Sequence, residues 1–405
     1  MKYKLKDVLN RYIRGPFGSA LKRSEMKSYG IPVYEQQNAI YDHREFRFFI
    51  DDDKFNELKR FQVQTGDLII SCSGTVGKVS IISKDDSKGI ISQALLILRP
   101  NTDIILPDYL YYFFKSYYGY KSLISRSSGS VQINLAKREI IEDIDIFVPV
   151  KSIQEKIVRI LKNIDNKIKV NNEINNNLYE FTNKLFEEKI LNNQDKEHWT
   201  EYVLSDISKM INGYSYKGNE LTDKSDIGMA TIKNFERTGG FKLDGFKDII
   251  PEKAKDDHYV KPYEVLVACT DLTQNADIIG NAIMLLNTSD YNEIIMSMDL
   301  VKLVPITDFI NNYMLYAIVN SKNFKDFALG YKSGTTVLHL NKNCFKEYTI
   351  KLPNEDILKD LSKVIEVNYK KISQIIEENK KLEQLRDSLL PKLMNGEIDL
   401  DNIEI

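Results

Sequence analysis

Residues 71–80 read SCSGTVGKVS, and Gly74, Gly77 and Lys78 are the residue types with which a phosphate-binding loop cradles a nucleotide. That chemistry needs Gly-x-x-x-x-Gly-Lys followed by Ser or Thr, because backbone amides wrap the phosphates and the last hydroxyl ligates magnesium. Here the first position is Cys72 and the last is Val79, so the opening turn would be strained and the metal ligand is missing. The simpler reading is a tight turn, residues 73–77, joining the strands DLIISC and KVSII as a hairpin. A nucleotide hydrolase built on Lys78 is the alternative.

Other catalytic constellations are hard to assemble. His43, His198, His258 and His339 stand in unrelated contexts, without the spacing of a metal pair or of a nucleophile and its base. Asp51, Asp52 and Asp53, and again Asp256 and Asp257, are consecutive carboxylates on polar stretches and read as solvated loops. An adenine methyltransferase would carry Asn or Asp followed by Pro-Pro and an aromatic, and no Pro-Pro occurs. Cys72, Cys269 and Cys344 match no zinc spacing and are odd in number, so they read as buried reduced thiols. The expectation is a chain without a catalytic or metal site of its own.

The elements that carry these residues need more than one core. A chain of 405 residues is expected to divide into two globular units with connecting elements. Its 42% hydrophobic and 28% charged residues are ordinary for a soluble protein, and runs such as ALLIL are too short to span a bilayer. The opening MKYKLKDVLNRYIRG has no apolar core or small-residue cleavage site, which points to the cytoplasm. A net charge of −2 argues against a stand-alone nucleic-acid binder, although residues 1–150 hold 22 Lys and Arg against 18 Asp and Glu.

The chain repeats itself with a period of about 200 residues. GDLIISC (66–72) aligns with YEVLVAC (263–269), which sets Cys72 against Cys269. PDYLYYFFKS matches NNYMLYAIVNS, and SSGSVQINLAKREI matches KSGTTVLHLNKNCF, with Gly129 against Gly334 and Leu135 against Leu340. Short strands mixed with helices make each half an α+β domain. After Pro149 and after Pro353 a long helical pattern follows. The first is expected to open on a Ser152–Glu155 capping box, with a heptad stripe of Ile153, Ile157, Ile160, Ile164, Ile174, Leu178, Phe181 and Leu185 interrupted by Lys167 and Asn171. The second carries Leu358, Leu361, Ile365, Ile372, Ile375, Leu382 and Leu389, interrupted by Asn368, Asn379 and Arg386. Two narrow apolar stripes of similar length bury each other best as an antiparallel pair. The expected layout is a first domain at 1–149, a central helix at 150–192, a second domain at 193–353 and a terminal helix with its tail at 354–405.

Taken together, these stretches resemble the specificity subunit of type I restriction-modification systems over essentially the whole chain. Residues 13–40 resemble the opening of a target-recognition domain, and residues 66–82 its strand-turn-strand. Residues 133–161 resemble the passage into the central spacer helix, and residues 385–398 the family's carboxyl end. The resemblance implies two domains each reading one half of a split duplex-DNA target, a helical spacer and no catalysis. It implies two modification subunits that bind S-adenosylmethionine and methylate adenine, and restriction subunits that use ATP and magnesium. The second half departs where ACTDLTQNADIIGNA replaces the glycine turn by a longer polar insert.

Major-groove chemistry favours Arg or Lys toward guanine and Asn or Gln toward adenine. On that basis the candidates in the first domain are Arg14, Lys22, Arg23, Gln36, Gln37, Arg44, Lys78, Arg126 and Gln132. In the second they are Lys217, Lys233, Asn234, Arg237, Thr273, Gln274 and Lys332. The open alternatives are the recognition subunit of a related type II-like restriction-methylation enzyme and a coiled-coil scaffold without a DNA function.

Overall fold

A computed structural model describes residues 1–126, 133–237, 239–273 and 275–400. These fall into two compact units, residues 1–168 with 381–405 and residues 169–380. The two long helices, Lys151–Phe186 and Glu355–Met394, are thus each divided between the units.

In the first unit, alternating apolar runs build an antiparallel sheet in the order Leu9–Arg14, Leu95–Pro100, Leu68–Ser71, Val79–Ile81. Its central strands are buried on both faces, as the unbroken LIIS and LLIL runs require. A smaller sheet sets Ile31–Tyr34 between Phe49–Ile50, antiparallel, and Ile90–Ile91, parallel. Lys2–Lys4 pairs with Asp145–Phe147 and closes the domain.

The second unit repeats the order of the main sheet strand for strand, while its smaller sheet has four strands against three. Ser208–Asn212, Leu300–Pro305, Val265–Ala268 and Ala282–Met284 form its antiparallel sheet. Ile227–Ala230 lies parallel to Glu293–Met296 in the smaller one, and Thr200–Val203 pairs with Thr349–Leu352. Cys72 and Cys269 are both buried one residue past the equivalent strand, as the aligned sequences require. The acidic residue opening that strand is neutralised in each copy, by different means. Asp67, fully buried, takes two hydrogen bonds from Arg99 at 2.7 and 2.8 Å. Glu264 accepts from Lys302 at 3.0 Å.

Each unit completes its core with parts of both long helices. In the first, Ile157 and Leu161 pack with Leu390, Leu393 and Met394 beneath the domain core, and Arg386 donates to Asp165 at 3.0 Å. In the second, Phe186 and Ile190 share a core with Leu358, Leu361, Ile365 and Ile372. There Asn171 donates to Asn379 at 2.8 Å and Asn368 to Thr182 at 3.0 Å. Within each unit, rising numbers on one helix meet falling numbers on the other, so the pairing is antiparallel.

Two details differ from the sequence reading. The central helix begins at Lys151, which places Ser152 inside the first turn and leaves no capping box. Its start is tied down by the buried Gln154, which donates to the carbonyls of Ile104 and Pro149 and accepts from the Leu106 amide. Ile174 and Phe181 face solvent, while Asn171, Asn175 and Thr182 are buried. The seam runs 171, 175, 178, 182, and Asn171 and Thr182 bond there to the partner helix, so Asn171, expected as an interruption of the stripe, is itself a contact.

Candidate nucleic-acid interface

The turn at residues 73–77 is the hairpin loop expected. The strands on either side are antiparallel neighbours, with Ile70 opposite Val79. Ser71 organises the loop, since its hydroxyl donates to the Thr75 carbonyl at 2.6 Å and accepts from the Lys78 amide at 3.0 Å. Gly77 has φ +80°, and a Cβ there would sit 3.0 Å from the Tyr120 ring, so both backbone angle and space require glycine. The chain leaves the loop into a strand, not a helix, so no helix N-terminus supports a phosphate. The nucleotide reading is thereby set aside.

Around this loop the first unit gathers several candidates. Ser73 donates to Gln36 Oε1 at 2.9 Å, joining the loop to the first residue of helix Gln36–Ile40. Lys78 is exposed beside the Tyr120 ring at 5.6 Å. Gln37 is half-buried on the same short helix as Gln36. Arg14 ends its strand and lines a cavity of about 420 Å³ with Tyr12, Cys72 and Arg138. Burial pushes the Cys72 thiol up to about 12, so it is an inert wall. Lys22 and Arg23 lie apart on an exposed turn, with Arg23 against the Phe48 ring. Arg126 ends strand Ile124–Arg126. Gln132, like Gly129, lies outside the described residues.

In the second unit the polar insert is held by one carboxylate. Asp271, fully buried, accepts from the Thr273 hydroxyl and from the amides of Thr273, Ile278 and Ile279 at 2.6 to 3.0 Å. Burial opposes its charge, yet those donors hold the carboxyl below the usual range. Lys325 clamps the far side of the insert, donating to Ile279 O at 2.6 Å and Asn281 Oδ1 at 2.7 Å. Its burial lowers the ammonium to about 8. The insert and the segment 232–244 frame a groove of about 600 Å³ that brings Lys233, Arg237 and Thr273 together with Lys242 and an exposed Leu272. Lys217 is exposed elsewhere on the unit, Lys332 is exposed on a three-stranded sheet that also holds Thr270–Asp271 at the base of the insert, and Gln274 lies outside the described residues.

Two candidates have structural duties that occupy their polar atoms. Arg44 donates to Asp86, Ser80 Oγ and the carbonyls of Ile81 and His43, which uses all three guanidinium nitrogens. Asn234 is fully buried, accepting from the Thr231 amide at 2.9 Å and donating to the Lys242 carbonyl at 3.0 Å. Asn38 does the same in the first domain, accepting from the Glu35 amide and donating to the carbonyls of His43 and Glu45. These residues shape the scaffold rather than offer groups to a ligand. Conversely, Arg138, Lys242 and Leu272 border the two surfaces and were not among the candidates. Arg138 stands over the Tyr12 ring at 4.9 Å, a contact without a sequence signal.

The structure is a doubled α+β domain, each copy presenting a loop beside charged side chains and resting on its share of two antiparallel helices. The chain belongs to the type I restriction-modification DNA specificity family, whose domain matches residues 1–180 and again 196–384. It is 24% identical over 401 residues to the HindI specificity subunit of Haemophilus influenzae, spanning 80% of this chain and 84% of that one. It is 22% identical over 414 residues to the MjaVIII specificity subunit of Methanocaldococcus jannaschii, spanning 95% and 92%. The S subunit of a type I system from M. genitalium shares the fold with a TM-score of 0.57 at 14% identity, over 97% of this chain and 96% of that one.

Proposed function

We propose that this chain is the sequence-reading subunit of a cytoplasmic type I restriction-modification complex and performs no chemistry itself. Each α+β domain reads one half of a bipartite duplex-DNA target, and the paired helices set the unspecified gap. The observation that carries this reading is the repeat: two domains of one strand order, each ending its third sheet strand in a loop beside cations and amides, but with loops of different length and chemistry. Equal scaffolds with unequal loops suit two half-sites of different sequence.

The net charge of −2 fits a chain that supplies base contacts while partners supply part of the phosphate neutralisation. Two modification subunits would bring S-adenosylmethionine and methylate adenine, and restriction subunits would bring ATP and magnesium. The exposed Val170, Ile174 and Phe181 recur at four and seven residues on one face of the central helix, which supports a helical docking surface for a modification subunit. Sequencing of methylated adenines in the host, with and without this gene, tests the proposal. Loss of one bipartite motif is expected, and an unchanged methylome would reject the reading.

A further inference from the structure

Across the repeat, Arg14 and Asn212 occupy one and the same position. Arg14 is the last residue of the first sheet strand of its domain and lies opposite Leu96. Asn212 is the last residue of the equivalent strand and lies opposite Val301. The next residue is glycine in both copies, and it fixes the strand end in the same way. Gly15 donates its amide to Leu95 O at 3.0 Å, and Gly213 donates to Leu300 O at 3.1 Å. A Cβ at Gly15 would fall 2.0 Å from Ser92 O, and at Gly213 1.9 Å from Ser297 O. No other residue permits that approach, so the two preceding side chains leave their domains from matched points.

What stands around them is also matched. Arg14 lies beside Cys72, lines the 420 Å³ cavity and makes no ion pair among the described residues. Asn212 is exposed, and Lys342 donates to its Oδ1 at 2.6 Å. Lys342 is also the cation that acts on Cys269, the counterpart of Cys72. Both positions therefore combine a positive charge with a polar side chain that has hydrogen-bonding capacity to spare. The guanidinium of Arg14 lies over the Phe17 ring at 5.9 Å and has no hydrogen-bond partner among the described residues. In Asn212 the lysine fixes which amide atom is oxygen, leaving Nδ2 as donor and a second lone pair on Oδ1 as acceptor.

Resting on the DNA-reading function proposed above, we infer that this shared position is a specificity position in both domains: Arg14 reads a guanine in one half-site and Asn212 reads an adenine in the other. Arginine donates two parallel bonds to guanine O6 and N7, and asparagine donates to adenine N7 while accepting from its N6 amine. Lys342 is a positioning residue, because it orients the Asn212 amide without touching the base.

The test exchanges the two residues in the full chain, expressed with its own partner subunits, and reads the methylated motif by sequencing the host. Arg14→Asn alters or relaxes one guanine in a single half-site, and Asn212→Arg alters or relaxes one adenine in the other. Discrimination at that base falls about tenfold to a hundredfold while the remaining bases stay fixed. Lys342→Met weakens discrimination at the Asn212 base without changing its identity. Unchanged motifs in both exchanges overturn the inference, as do changes in both half-sites from one exchange. If an exchange abolishes methylation, Arg14→Lys and Asn212→Gln decide: a retained base with weaker discrimination upholds the assignment. Complete loss with these variants too, with an intact melting transition, overturns it in favour of a role in assembly. A wild-type chain that directs no bipartite motif would instead remove the DNA-reading function itself.

Discussion

The side-chain amide of Asn171 donates to Asn379 Oδ1 at 2.8 Å, and Asn379 in turn donates to Asn172 Oδ1 at 2.8 Å. Asn171 is 1% exposed, so this is a buried polar layer within the helix seam. Such a layer stabilises little by itself but penalises every register that leaves an amide unpaired. Asn379→Ala should cost about 1–3 kcal/mol by leaving one N–H of the buried Asn171 amide unpaired, the other donating to Glu378 at 2.9 Å. Replacing Asn171 and Asn379 together by leucine should recover most of that loss and broaden the range of species seen by size-exclusion chromatography. A double variant less stable than Asn379→Ala would contradict the account.

The buried pair Asp67–Arg99 has a distinct signature. Asp67→Ala leaves a half-buried guanidinium without its carboxylate and should cost about 3–5 kcal/mol in denaturant unfolding. Glu264→Ala should likewise destabilise the second unit, since Lys302 is 6% exposed in its side chain. Losses below about 1 kcal/mol for both would show that neither pair matters to its core.

Much of this was legible in the sequence. The hairpin at residues 73–77 and the long helices follow from period-two and heptad patterns, which depend on nearby residues alone, and the equivalence of Cys72 and Cys269 follows from the internal repeat. The seam was legible only in part. Ile174 and Phe181 fit a heptad as well as Asn175 and Thr182 do, and only the partner helix, some two hundred residues away, selects between them. The site was less legible still. Arg44 and Asn234 have the right residue types, yet type does not reveal that Asp86 and the Thr231 turn already occupy them. The match of Asn212 to Arg14 is fixed by strand register together with the glycine that follows each.

The division of the chain makes a prediction about folding. Residues 169–380 are contiguous and contain every part of their unit, whereas residues 1–168 lack Leu390, Leu393 and Met394 from their core. The 169–380 fragment should melt cooperatively alone. Residues 1–168 should do so only when residues 381–405 are supplied, in trans or by fusion ahead of Met1. A stable, cooperative 1–168 fragment would contradict the shared core.

The spacer role requires matched changes in both helices, because a change in one alone would break the Asn171–Asn379 and Thr182–Asn368 contacts. Four residues inserted after Ile168 and four after Lys380 add about 6 Å of helix and about 40° beyond a full turn. The methylated motif should keep its bases and gain one or two unspecified base pairs. Two-residue insertions at the same points rotate by about 200° and should abolish methylation. An unchanged gap with full activity after the four-residue insertions would mean that the helices are not the spacer.

The central claim is that each domain reads its own half-site, and replacement of residues 1–149 by the first domain of another family member tests it most directly. Sequencing of methylated adenines in cells carrying the chimera should show one half of the bipartite motif exchanged, with the other half and the gap unchanged. A motif altered in both halves, or in neither while methylation persists, would contradict the account.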